Sequence, residues 1–210
     1  MQSWLRRALT ADLLEYCFAF YQRNALHQTM STHALMILHP GFEETEAVTP
    51  IDLLARAGVE VVQAAINDTL LVPGSNGITL LATHRLADVA EKTFDVIILP
   101  GGSGIMQIRK HPLICKLLQQ QRAANRLIGC ICAAPLLLFD AKLTENLRYT
   151  CHPSAADELT AALDATVVQD GVIITSRGAG TATEFALQLV CQLTNQKTAT
   201  AIAESICWLG

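Results

Sequence analysis

The stretch LIGCICAAPLLLF, Leu127 to Phe139, decides the fold. LIGCI is a continuous apolar run of strand length. CAAP follows, and Pro135 suits the first turn of a helix, where its missing N–H is not needed. A buried strand that turns straight into a helix is half of a βα unit, and Cys132 stands at the turn. A cysteine there has three readings: a small core hydrophobe, a metal ligand, or a nucleophile lifted out of the sheet on a tight elbow. Unpaired N–H groups and the positive end of the helix dipole favour thiolate at such a position. Packing and chemistry both stay open on the local sequence. Cys130, one strand period earlier and inside the run, reads as core.

The same rhythm extends in both directions. Apolar runs at 33–38 (HALMIL), 59–66 (VEVVQAAI), 95–100 (DVIILP) and 171–176 (GVIITS) read as further strands. Helices are expected over 44–57, 112–124, 133–140, 153–163, 181–193 and 197–208. Pro50 predicts a kink in the first of these, or a later start. Turn signals at Asn67-Asp68, Pro73-Gly74 and Asn76-Gly77 predict a hairpin or β-excursion before the third strand. Continuous apolar strands alternating with helices predict an α/β fold with a mostly parallel sheet covered on both faces.

The totals set limits on function. Of 210 residues 51% are hydrophobic and 16% charged, with a net charge of −4. That balance excludes a disordered chain and argues against phosphate-backbone binding, so no nucleic-acid partner is expected. No run approaches the ~18 apolar residues of a membrane span, so no membrane partner is expected either. Seven cysteines, an odd number irregularly spaced, fit a reducing compartment better than a disulfide scaffold, and a cytoplasmic location is expected. One domain is expected over residues 31–210. In residues 1–30, Arg6 and Arg7 precede an apolar segment, but Asp12 and Glu15 interrupt it and no clear cleavage site follows. Leu5, Leu9, Leu13, Cys17 and Phe20 recur at helical spacing. The segment reads as a helical extension, or as sequence read from a start upstream of Met30.

Ligands of a parallel sheet bind beyond the carboxyl ends of its strands, which directs attention to three strand ends besides TCHPSA. HALMIL runs into HPGFEETE, which supplies Glu43, Glu44 and Glu46. Acids at a helix start ordinarily complement its dipole; one that turned toward the strand ends could exchange a proton with a thiol. DVIILP runs into Gly101-Gly102, whose unobstructed N–H groups could serve an oxyanion, although a glycine turn after a strand is common. The loop matches neither G-x-G-x-x-G nor a P-loop. LIGCI runs into Cys132. TCHPSA places His152 before a proline near a helix start. Cys130, Cys132, Cys151 and His152 lack the spacing of a zinc knuckle, so no metal is expected.

Taken together, HPGFEETEAVTPIDLLARAG, FDVIILPGG, GCICAAP, the His-Pro at 152–153 and VIITSRGAGTATEFAL resemble the ThiJ/PfpI superfamily, in the branch of the parkinsonism-associated protein deglycase and bacterial YajL-like proteins. The resemblance covers residues 33–195. It implies a flavodoxin-like α/β three-layer sandwich and a homodimer. It also implies roles: Cys132 as the reactive cysteine, Glu46 as a protonated glutamate bonded to it, and His152 as a pocket histidine. Gly101, Gly102 and Ala133 correspond to the oxyanion and substrate side, and Arg56 to an arginine near the dimer-side mouth. Ser75-Asn76 stand where many members carry a second pocket arginine. Cys130 and Cys151 replace small or polar residues, which could permit a local disulfide with Cys132.

Two functions follow from that resemblance. One is a cofactor-independent glyoxalase or deglycase-like enzyme acting on a small reactive carbonyl substrate, such as methylglyoxal, or on a glycated protein. The other is a redox-responsive chaperone or sensor working through oxidation of Cys132. A peptidase of the PfpI type carries its histidine directly after the nucleophile, where this chain has Ala133.

Overall fold

A computed structural model describes residues 32–209, and the extension expected over 1–30 lies outside the described residues. The chain order is β1 (His33–Leu38), α1 (Glu44–Arg56), β2 (Glu60–Ala65), a hairpin of β3 (Leu71–Pro73) and β4 (Thr79–Leu81), then β5 (His84–Arg85), α2 (Leu86–Val89) and β6 (Val96–Leu99). It continues with α3 (Pro112–Ala123), β7 (Leu127–Ile131), α4 (Pro135–Asp140), β8 (Val167–Asp170), β9 (Ile173–Ser176), α5 (Ala182–Leu193) and α6 (Gln196–Ser205).

Seven strands form one sheet in the order β5-β2-β1-β6-β7-β9-β8, parallel except for β8 against β9. Alternation along β1 explains the layering. Ala34, Met36 and Leu38 enter a core with Phe185 and Leu189 of α5 and Leu53 and Leu54 of α1. Leu35 and Ile37 enter the opposite core, with Leu117 and Leu118 of α3 and Leu136, Leu137 and Leu138 of α4. Strands buried on both faces need such continuous apolar runs. The result is the expected three-layer sandwich.

One local expectation is corrected, and two further features stand beside it. Residues 153–163 form only a short 3-10 turn, Pro153–Ala155, followed by turns. Leu159 does donate back to Ala155 at 3.0 Å, but the Leu163 amide is drawn to the Tyr149 carbonyl at 2.8 Å, which bends the chain away from a helix. The antiparallel edge strand β8 was not anticipated. Pro50 lies inside α1 without delaying its start, because Glu43 caps the helix with its carboxylate on the Glu46 amide at 2.7 Å. Pro50 has no N–H to give the Glu46 carbonyl one turn back.

From β1 the chain moves through α1 to β2 on one side, whereas β6 lies on the other side of β1. That reversal makes the carboxyl ends of β1 and β6 the topological switch point. The segments after β1, β6 and β7 meet there.

Candidate active site around Cys132

Cys132 leaves β7 with φ 65°, a left-handed backbone that costs a non-glycine residue about 1–2 kcal/mol. Its surroundings hold it there. The Cys132 amide donates to the Ser176 carbonyl at 2.8 Å, and its carbonyl accepts from the His152 amide at 2.8 Å. Strand, turn and helix thus form the elbow read from GCICAAP. The side chain is partly exposed, whereas Cys130 is fully buried.

Glu46, in the first turn of α1, is completely buried. Its Oε2 accepts the Gly101 amide at 2.8 Å, while Oε1 is buried without a hydrogen-bond partner among the described residues. Burial pushes the carboxyl up to about 7, against the opposing pull of the Cys132 thiol and the Gly101 amide. Burial likewise pushes the Cys132 thiol up to about 12, reinforced by the Glu46 charge and their mutual hydrogen bond. The Ala133 and Gly102 amides pull the thiol the other way. Burial thus opposes the thiolate-favouring pull of the helix N-terminus at Cys132. Both groups of the pair are thus shifted toward their neutral forms, with burial the largest cause in each.

Glycine at 101 is a packing requirement. A Cβ there would lie 2.6 Å from the Cys132 Cβ and 2.9 Å from Glu46 Oε2. The Gly101 and Gly102 amides, expected as a pair of oxyanion donors, have separate duties: Gly101 holds Glu46, and Gly102 faces the sulfur together with Ala133. His152 stands on the exposed rim. Its Nδ1 meets Ser154 Oγ at 2.8 Å, and its ring lies beside Gly178, whose other neighbour is Glu46 Oε1.

Arg56 does not join this group. It ends α1, ten residues or about 15 Å along the helix from Glu46, and pairs with Asp52 at 2.9 Å on the exposed surface. Cys130 and Cys151 lie in the core beneath α3 and α4, whereas Cys132 packs toward the opposite core. All three are free thiols. Among the described residues, no three His, Cys, Asp or Glu side chains converge as metal ligands. Ser75 Oγ bonds the Gly41 carbonyl at 2.6 Å and sits 3.2 Å from Ser103 Oγ, joining the hairpin to the glycine turn.

Sequence reasoning missed the closure of the site by the Gly178–Thr181 segment, whose Ala179 amide also favours the charged form of Glu46. The signal was a glycine-rich GAGT directly after β9. It also missed His39, fully buried at the end of β1.

A flavodoxin-like sandwich with a cysteine on a strand–helix elbow, backed by a buried carboxyl, defines a class of α/β proteins with a thiol at the topological switch point. Comparison with known proteins narrows it. The DJ-1/PfpI family model matches residues 32–192, and the chain belongs to that family. It is 38% identical over 182 residues to protein dj-1beta of Drosophila melanogaster, covering 84% of this chain and 97% of that one. It is 37% identical over 179 residues to the glutathione-independent glyoxalase DJR-1.2 of Caenorhabditis elegans, covering 83% and 95%. Among solved structures, oxidized Toxoplasma gondii DJ-1 superposes with a TM-score of 0.82 at 32% identity, covering 86% of this chain and all of that one. Drosophila DJ-1beta gives 0.81 at 38% identity, covering 85% and 98%.

Proposed function

We propose that this chain is a cysteine-dependent, cofactor-independent glyoxalase with deglycase-like activity, acting on methylglyoxal or on early glycation adducts of proteins. The observation that carries the reading is the fully buried Glu46 carboxyl, held by the Gly101 amide at 2.8 Å against the same glycine that Cys132 packs on, with burial pushing it up to about 7. A general base works best when its pKa lies near the operating pH. Glu46 takes the thiol proton as sulfur attacks the aldehyde carbon, and the resulting alkoxide is reprotonated to a hemithioacetal. Glu46 then removes the proton from that carbon, and the enediol is reprotonated on the neighbouring carbon, leaving a thioester. Water cleaves the thioester to lactate and restores the thiol. In this reading the Gly102 and Ala133 amides, which face the sulfur, take up the oxygen charge that develops beside it, and His152 borders the substrate at the rim. The glyoxalase name of the Caenorhabditis elegans relative supports the same chemistry.

The test is lactate formation from methylglyoxal by purified protein. Cys132→Ala is expected to abolish it, and Glu46→Gln to lower it at least 100-fold, the scale of a lost general base. Turnover that survives either change overturns the reading.

A redox sensor is the second reading, favoured by the partial exposure of Cys132 and by the two amides facing its sulfur, which would also hold a sulfinate. Negligible turnover together with selective peroxide oxidation of Cys132 would decide for it. We further propose a homodimer: Leu71, Ile78 and Leu81 of the hairpin and Val48 of α1 expose apolar surface that a second copy would cover. Sedimentation of Leu81→Asp against the unaltered chain tests this. Among the described residues, no helix is long and apolar enough to cross a membrane, and a cytoplasmic location remains part of the proposal.

A further inference from the structure

His39 follows β1 and is completely buried, and the hydrogen bonds of its ring go to the backbone, not to Cys132 or Glu46. Its ring nitrogens face two carbonyls: Nδ1 lies 3.2 Å from the Pro40 oxygen and Nε2 lies 3.3 Å from the Pro100 oxygen. Burial lowers its pKa, against the pull of the Pro40, Pro100 and Gly101 backbone. A neutral imidazole carries one N–H, so one carbonyl is served as acceptor and the other is not. The contact with Pro100 is the fully buried one, whereas that with Pro40 is only partly buried. Since a buried carbonyl without a donor is the costlier of the two, the proton belongs on Nε2.

The Pro100 carbonyl and the Gly101 amide are the two ends of one peptide group. At its far end, the Gly101 N–H donates to Glu46 Oε2 at 2.8 Å. We propose that His39 is a positioning residue for the Cys132–Glu46 pair, acting through the Pro100–Gly101 peptide. Donation from Nε2–H to the carbonyl polarises the peptide, and the polarised amide binds the Glu46 carboxylate more strongly. Hydrogen bonds in such a chain strengthen one another by about 10–30%. The relay also fixes the plane of the peptide and hence the direction of the Gly101 N–H. Gly104 permits the arrangement, because a Cβ there would lie 2.7 Å from His39 Nδ1 and collide with the Pro40 oxygen. The other groups acting on Glu46 are the Cys132 thiol, the Glu43 carboxylate and the Ala179 amide.

This inference rests on the reading of Cys132 and Glu46 as the working pair but not on turnover, and its test uses no substrate. The first measurement is the ring nitrogen NMR spectrum of His39 in the full chain. A protonated Nε2 is expected, and an unprotonated Nε2 overturns the relay. The second is the carbon-13 titration of the Glu46 carboxyl in three variants. His39→Gln keeps a donor where Nε2 stood, whereas His39→Asn places it at Nδ1 and His39→Phe removes it. An upward shift of the Glu46 midpoint by about 0.3–0.5 unit is expected in the Asn and Phe variants, with Gln returning it to near the native value. A midpoint unmoved in folded Asn and Phe variants overturns the proposal; where these do not fold, the ring spectrum decides. Loss of methylglyoxal turnover with the relay intact would count against the proposed function alone.

Discussion

Glu44 turns away from Cys132 and closes on Asn76, its carboxylate accepting the Asn76 amide at 2.6 Å and the Asn76 side chain at 2.9 Å. Two residues later on the same helix, Glu46 faces the sulfur. Burial pushes the Glu44 carboxyl up, but the Asn76 and Ile78 hydrogen bonds outweigh it and hold the group below its ordinary value. A depressed carboxyl contributes stability that is present above the unfolded value of 4.5 and is lost as pH falls through the folded one. Glu44→Ala strands the hairpin donors and should cost about 2–3 kcal/mol at neutral pH in urea unfolding, with the gap to the unaltered chain closing in acid.

Glu46 carries the opposite sign. Its carboxyl lies at about 7 folded and 4.5 unfolded, so the folded state binds the proton more tightly. The associated stability is complete below pH 4.5 and is lost as pH rises through about 7. The difference corresponds to about 3 kcal/mol. Glu46→Gln removes the titration and should flatten that decline, leaving the variant the more stable protein at pH 8 in thermal or urea unfolding. Turnover should move the other way in the unaltered chain, rising through pH 7 as the base ionises.

The elbow separates two substitutions that both remove the sulfur. Cys132 has φ 65°, a conformation that glycine adopts freely and alanine does not. Cys132→Gly should therefore be more stable than Cys132→Ala by about 0.5–1 kcal/mol, or roughly 2 °C in melting temperature. Neither variant should form lactate. Equal melting temperatures would show that the elbow stores no strain.

Arg56 provides a contrast at the site's expected periphery. Its pair with Asp52 is half exposed on both sides, and such pairs contribute about 0.3–0.5 kcal/mol. Arg56→Ala should leave methylglyoxal turnover within about twofold and stability within about 0.5 kcal/mol. A tenfold loss measured at dimer concentrations would mean that the partner copy brings Arg56 to the site.

The sheet was legible because buried parallel strands write themselves as unbroken apolar runs. HALMIL, DVIILP and LIGCI carry that signature, and the strand-end rule then gathered the three acids Glu43, Glu44 and Glu46 with Gly101 and Cys132, while the resemblance singled out Glu46. Residues 153–163 misled because their apolar spacing is helical, whereas the Leu163 amide is bonded outside the segment, to the Tyr149 carbonyl, and only a short 3-10 turn forms. The ionisation of Cys132 was left open by the sequence for a related reason. A helix N-terminus is visible in sequence, but complete burial of an acid from another element is not. His39 was invisible because a buried histidine shows its purpose only through partners far along the chain.

Both polar groups of the Cys132 backbone are occupied, one by Ser176 and the other by His152. Position 132 is therefore a mount whose shape owes nothing to the atom it presents. Serine or selenocysteine placed there would occupy the same point in the same pocket. Nucleophilicity can thus be varied while geometry stays fixed, making the element at the tip of residue 132 an independent variable of the chemistry.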